Sequence, residues 1–278
     1  MTFSLSVGPK ALRLKTGVLP CLDNDGKILL DTKSSVAVAP DGNGGLYAGL
    51  FKSSPSVLDD MKSRGIQYLH THGVDNCLVR VADPAFVGYC IKKKADCGNV
   101  VVRKTQPAES VGVIALRNGK WGVVEYSEIP TSLSEAKTPS GELVFRAANI
   151  ANHFFTVDFL DRIQALGEDD MPFHIARKKI PYVDLESGER IKPTKPNGMK
   201  LELFIFDVFP FSQNMAVLEV QRQDFFSPLK NAPNTGVDDP QTYVPCASLE
   251  STSHSIFDIQ ESSRSTSSAQ AMDRSGRR

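Results

Sequence analysis

Asp41-Gly42-Asn43-Gly44-Gly45 places three glycines in four positions directly after the alternating run Ser35-Val36-Ala37-Val38-Ala39. Alternation with β-branched residues reads as a strand. Without a Cβ, the glycines let the loop that follows lie flat against whatever it meets. Loops at strand ends are where open α/β sheets take their ligands, so these two features together favour a layered α/β fold with a ligand at the sheet edge. A plain glycine-rich turn has the same composition, and the rest of the chain has to decide between them.

Several segments are punctuated clearly. Residues 1–17 show little periodicity, and order begins with Val18-Leu19-Pro20-Cys21-Leu22. Asp23 to Lys27 reads as a hairpin turn before the strand-like Ile28-Leu29-Leu30; a calcium loop would need a glutamate at its end. Ser54 and Pro55 predict the start of a short helix with Val57, Leu58 and Met61 on one face and Gly65 as its stop. Ile66 to His72 alternates like a strand, with His70 and His72 on one face, as a metal pair or as ordinary strand histidines. Val74 to Pro84 reads as a buried strand or helix after an acidic turn. Its Asp75 is either a magnesium ligand beside a nucleotide cleft or turn chemistry. Phe86 to Cys97 reads as a helix with a solvated lysine face.

Val100-Val101-Val102, Val111 to Leu116 and Trp121 to Tyr126 are predicted strands, the last two joined by an Asn118-Gly119 hairpin. Glu125 ends an apolar strand, where a carboxylate needs donors such as water or ligand hydroxyls. Phe145 to Phe155 is dense in small and aromatic residues; packing explains those better than it explains Asn149 and Asn152. Thr156 caps a helix carrying Val157, Phe159, Leu160 and Ile163. His174 has no nucleophile nearby in sequence and reads as structural. Ile180 to Asp184, Leu201 to Phe209 and Ala216 to Val220 read as strands. Lys230 stands in an apolar loop, where it could meet a phosphate. The stretch from Ser248 to Arg278 is too polar to offset its ordering entropy and is expected to be disordered.

Lys+Arg and Asp+Glu are equal at 32. No global field therefore steers the chain to nucleic acid. No apolar run approaches the length of a membrane helix, and no signal peptide is evident at the start. The odd number of cysteines, 5, without a CxxC pair, fits reduced thiols in the cytoplasm.

The segments APDGNGGLY, GVDNCLVRVADP, ADCGNVVVRKT, VVEYSE, ANIANHFFT, KKIPYVD, KPNGMKLE, FIFDVFPF and FSPLKNA, in that order from about Gly17 to Asn231, resemble the eukaryotic UDP-N-acetylhexosamine pyrophosphorylases. The resemblance implies a Rossmann-like, glycosyltransferase-A-like nucleotidyltransferase fold, with a mixed sheet flanked by helices. It implies that UTP and N-acetylglucosamine 1-phosphate are converted to UDP-N-acetylglucosamine and pyrophosphate with Mg2+; UDP-glucose is the alternative product. By the family pattern Gly42 and Asn43 line the nucleotide and sugar cleft, and a side chain at Gly42 would collide with the ligand. Asp75 helps hold magnesium. Gly112 lets the backbone approach the sugar, Glu125 and Asn149 bond its polar groups, Phe204 and Phe206 wall the N-acetyl pocket, and Lys230 neutralises phosphate charge.

The family's upstream Gly-Thr-Arg loop and its C-terminal β-rich domain have no counterpart in this sequence. The expectation is therefore an incomplete catalytic domain over 18–240, with an unplaced extension at 1–17 and a polar tail at 241–278. Such a chain would be poorly soluble and inactive alone, or would act as a nucleotide-sugar-binding partner of an intact homologue or a second copy.

Overall fold

A computed structural model describes residues 2–7, 10–15, 17–167, 171–242 and 257–258. The chain folds as two compact units, Met1–Ile66 with Asp161–Val208 and Gln67–Leu160 with Phe209–Arg278.

In the first unit the stretch expected to lack order forms an antiparallel hairpin, Thr2–Val7 against Lys10–Lys15. The Asp23 turn is closed by its own carboxylate, which accepts the N–H groups of Asp25 and Lys27. The predicted Ser35–Ala39 strand is split, with Ser35–Val36 pairing Leu30–Thr32 and Val38–Pro40 pairing Val18–Pro20. Its alternation survives the split. Ala37 and Ala39 turn inward onto Cys21, Leu29 and Ile180, while Val36 and Val38 stay exposed.

The glycine loop then opens helix Gly45–Phe51. The next helix is Val57–Ser63, capped by Ser56 rather than Ser54. Ser56 is extended and accepts the Asp59 N–H, and Ser53 accepts that of Val57, so two serines satisfy two of the orphan donors of the first turn. Gly65 follows at φ +70°.

Strand Gly198–Glu202 lies between His174–Lys178 and Leu22–Asp23. The expected Leu201–Phe209 strand ends at Glu202, because Asp207 accepts the Phe204 N–H at 2.7 Å and folds 204–207 into a turn. Of Ile180–Asp184 only Tyr182–Val183 is strand.

The second unit is a seven-stranded mixed sheet. Its order is Lys120–Val124, Val113–Arg117, Ala147–Thr156, Cys97–Arg103, Met215–Val220 and Phe257–Asp258, with Tyr68–His72 also paired to Ala147–Thr156. Among the described residues, the one parallel pair in it is Cys97–Arg103 with Met215–Val220. Asn118 and Gly119 both have positive φ, as the mirror-image hairpin turn between two twisted strands requires. Phe257–Asp258 falls in the tail expected to be disordered; the rest of that expectation lies outside the described residues.

Helix Pro84–Lys92, capped by Asp83, packs Phe86, Tyr89 and Cys90 onto Val100, Val102, Ala148 and Phe154. It stops short of the expected Cys97, which already begins a strand. Val74–Asp83 is a string of turns rather than a buried element, with Val74 94% exposed. Its order comes from buried Asn76, whose amide donates to Phe225 O and whose oxygen accepts the Ser227 N–H. As predicted, Thr156 caps helix Val157–Leu166, accepting the Phe159 N–H. Cys21, Cys77, Cys90 and Cys97 are free thiols, and burial pushes that of Cys90 up to about 12.

His153 sits in the centre of the sheet with Nδ1 bonded to the Asn99 side-chain oxygen. Burial, and secondly the charge of His70, push its pKa down to about 3. Burial also lowers that of His70. Below the ordinary histidine pKa the unfolded chain binds protons that these folded imidazoles refuse. The contribution of His153 is therefore complete above about pH 6.5 and falls toward pH 3, by up to about 1.4 kcal/mol per pH unit, and the lowered His70 adds to the loss in the same direction. The urea midpoint of the second unit should drop between pH 7 and 4.5; a flat midpoint over that range contradicts the burial argument.

Candidate functional site

The first unit brings four predicted residues together. Leu203 lies directly on the glycine loop, its N–H donating to Asp41 O at 2.7 Å and its carbonyl accepting the Gly44 N–H at 2.8 Å. A Cβ at Gly42, where φ is +91°, would stand 2.3 Å from Leu203 O. The glycine is therefore required by the unit's own backbone, whatever ligand it also meets. Asn43 Oδ1 accepts the Ile205 N–H at 2.8 Å, tying the loop to the turn that carries Phe204 and Phe206. Those two rings lie 5.0 Å apart. The predicted strand would have left them one pleat apart; the turn makes them neighbours.

The second unit assembles the others around one irregularity in strand Ala147–Thr156. Its register on Cys97–Arg103 shifts between Asn149 and His153, with Ala151 at φ +53°. A bulge of this kind splays a strand and re-aims its side chains. On one side of it the Asn149 N–H donates to Gly112 O at 2.8 Å; on the other the Gly73 N–H donates to Ala151 O at 3.0 Å.

Gly112 and Glu125 face each other across the hairpin, where a Cβ on Gly112 would be 2.8 Å from Glu125 Oε1. Gly112, Glu125 and Asn149, from three separate motifs, are thus one cluster.

Past Gly73, Asp75 meets Lys230, with Nζ 3.5 Å from Oδ2. The Leu229 N–H donates to Asp75 O at 2.8 Å, and Asn76 bridges Pro228. Upstream of the lysine's loop, Arg222 pairs with Glu109 at 2.5 Å, and buried Glu219 pairs with Arg103 at 2.7 Å. Beyond it Asp239 locks a turn. Burial pushes its carboxyl up, but hydrogen bonds from Gly236, Thr242 and Thr235 outweigh this and hold it at about 2. A cavity of about 540 Å³ opens between Arg222, Phe226, Pro228 and Asp238, and none of the predicted site residues lines it.

Among the described residues no group of three or more acidic, histidine or cysteine side chains could hold a metal. His70 is committed elsewhere, with Nδ1 accepting the Ala82 N–H and Nε2 on Asn152, which removes the His70–His72 metal pair. Asp75, its side chain 38% exposed, offers a single carboxylate, and one or two carboxylates are what magnesium commonly takes from a protein when phosphates supply its other ligands. No helix among the described residues is long and apolar enough to cross a membrane.

Sequence reasoning left His174 structural and did not single out Asp207. His174 Nε2 lies 2.8 Å from Asp207 Oδ1, and its ring is 4.5 Å from that of Phe204. Nothing in the local pattern announces a pair so far apart in the chain.

The family profile described as UTP–glucose-1-phosphate uridylyltransferase matches residues 10–273. UDP-N-acetylhexosamine pyrophosphorylase-like protein 1 of Xenopus tropicalis is 51% identical over 225 residues, 81% of this chain and 43% of that protein. The Homo sapiens protein of the same name is 49% identical over 225 residues, 81% of this chain and 44% of its own length. The chain thus spans less than half the length of these relatives.

Among solved structures, the Trypanosoma brucei uridine diphosphate N-acetylglucosamine pyrophosphorylase, in complex with inhibitor, aligns with a TM-score of 0.73 at 32% identity. The alignment covers 82% of this chain and 46% of that one. The chain belongs to the UTP–glucose-1-phosphate uridylyltransferase family and shares its fold with that Trypanosoma brucei protein.

Proposed function

We propose that this chain carries the sugar-phosphate side of a uridylyltransferase that makes UDP-N-acetylglucosamine and pyrophosphate from UTP and N-acetylglucosamine 1-phosphate. The observation that carries the reading is the meeting of Asp75 and Lys230, 3.5 Å apart, from motifs distant in sequence. It puts a hard oxygen donor and a compact cation in one place, as phosphoryl chemistry requires.

A phosphate oxygen of the sugar phosphate attacks the α-phosphorus of UTP, the bond to the β-phosphate oxygen breaks, and pyrophosphate leaves. The protein contributes position and charge rather than a nucleophile. Lys230 offsets the charge that builds on the α-phosphate, and Asp75 would hold magnesium, which neutralises phosphate oxygens when bound. Gly42 and Asn43 present the backbone to the nucleotide sugar. Glu125 and Asn149 receive sugar hydroxyls beside Gly112, and Phe204 and Phe206 wall the N-acetyl group. This reading puts the protein in the cytoplasm, with a second copy or a longer homologue as its partner.

Titration calorimetry with magnesium present tests it. The chain should bind UDP-N-acetylglucosamine more tightly than UDP-glucose; binding neither, or preferring UDP-glucose, overturns it. In a polypeptide competent for turnover, Glu125→Ala should raise KM for the sugar phosphate about tenfold with little change in kcat, because the contact it removes is made in the ground state. An unchanged KM would leave Glu125 with no part in sugar binding.

A further inference from the structure

Asp207 has one carboxylate and two dependants. Its side chain is 5% exposed, so leaving either oxygen unpaired would be costly. Oδ1 takes the Nε2–H of His174 at 2.8 Å, and Oδ2 takes the Phe204 N–H at 2.7 Å. His174 then closes the circuit through its ring, 4.5 Å from the ring of Phe204 and 6.3 Å from that of Phe206. The next residue, Ile205, is fixed independently. Asn43 accepts its N–H, and the Tyr47 hydroxyl donates to its carbonyl. The turn is thus held from the glycine loop, while the tilt of Phe204 is set by the imidazole packed against it.

We propose that His174 is a positioning residue that sets the Phe204 ring and thereby the preference for an N-acetylated sugar. This rests on the assignment of Phe204 and Phe206 to the N-acetyl pocket. An acetamide is planar and gains from close packing against an aromatic face only when that face is held at the right angle. The 2-hydroxyl of a glucosyl group is too small to use that wall. Freeing the Phe204 ring therefore penalises the N-acetyl sugar and spares the other.

Calorimetry on the 278-residue chain, with UDP-N-acetylglucosamine and UDP-glucose as probes, tests this. His174→Ala should weaken UDP-N-acetylglucosamine about tenfold and UDP-glucose less than about twofold. His174→Gln keeps a donor within reach of Asp207 Oδ1 but loses the ring. It should fold as the parent does and lose an intermediate part of the selectivity, so it decides the question if the alanine variant does not fold. An affinity ratio unchanged from the parent, or equal losses for both ligands, overturns the role of His174 while leaving the pocket assignment standing. A parent chain that binds neither ligand removes the pocket assignment and this inference with it.

Discussion

Gly42→Ala is expected to cost the first unit about 3–5 kcal/mol, enough to unfold a domain of ordinary stability. Two effects combine. The residue has φ +91°, which a β-carbon tolerates only with strain, worth about 1–3 kcal/mol. The added atom would also sit 2.3 Å from Leu203 O, a backbone atom that cannot swing aside. Gly26 provides the control, with φ +82° and open space around the position of its Cβ. Gly26→Ala should show the strain alone, about 1–3 kcal/mol. Urea denaturation of the two variants separates the contributions; equal losses would mean that Leu203 yields and the collision is not real. Nucleotide-sugar binding should vanish in Gly42→Ala together with the fold, so loss of binding there cannot by itself be read as loss of a ligand contact.

Lys230→Ala should leave the fold intact and lower kcat about 10²–10³-fold in a polypeptide competent for turnover. The side chain is 53% exposed and, among the described residues, its one ion pair is with Asp75. The backbone bond from its N–H to Asp238 O survives the substitution. Folding therefore loses little, since partly exposed ion pairs contribute at most about 1 kcal/mol. On the proposed mechanism turnover loses more, because charge on the transferred phosphate grows toward the transition state and an ammonium beside it offsets that growth. KM for the sugar phosphate should move less than about threefold. Lys230→Arg should not restore the rate, as the wide guanidinium fork cannot occupy the place of a compact ammonium. Parent-like kinetics in Lys230→Ala would remove the residue from the mechanism.

Much of the candidate site was legible as a set of residues but not as an arrangement. Asn118-Gly119, Thr156 and the alternation of Val36 to Ala39 act within a few residues of themselves, and each does in the structure what its chemistry demands. The failures share a cause. Leu201 to Phe209 alternates like a strand, yet Asp207 captures the Phe204 N–H and the strand ends at Glu202. Ser54 is followed by a proline suited to a first turn, yet the helix begins two residues later and the capping passes to Ser56, whose hydroxyl accepts the Asp59 N–H. In each case a side-chain hydrogen bond outweighed a pattern of propensities, and a pattern does not reveal which acceptor will win.

Local chemistry in the sequence determined the turns, the caps, the inward faces of the strands and the family motifs, because those depend on neighbours a few positions away. Tertiary structure alone decided three further things. The bulge at Asn149–His153 sets Gly112 on one flank and Gly73 on the other. Asp75 reaches Lys230 because Asn76 ties the two loops. His174 reaches Phe204 because strand pairing carries it there. The physical reason is the same for all three: each contact joins segments far apart in the chain, and only the pairing of strands and the burial of polar groups between them decides which distant partner is met.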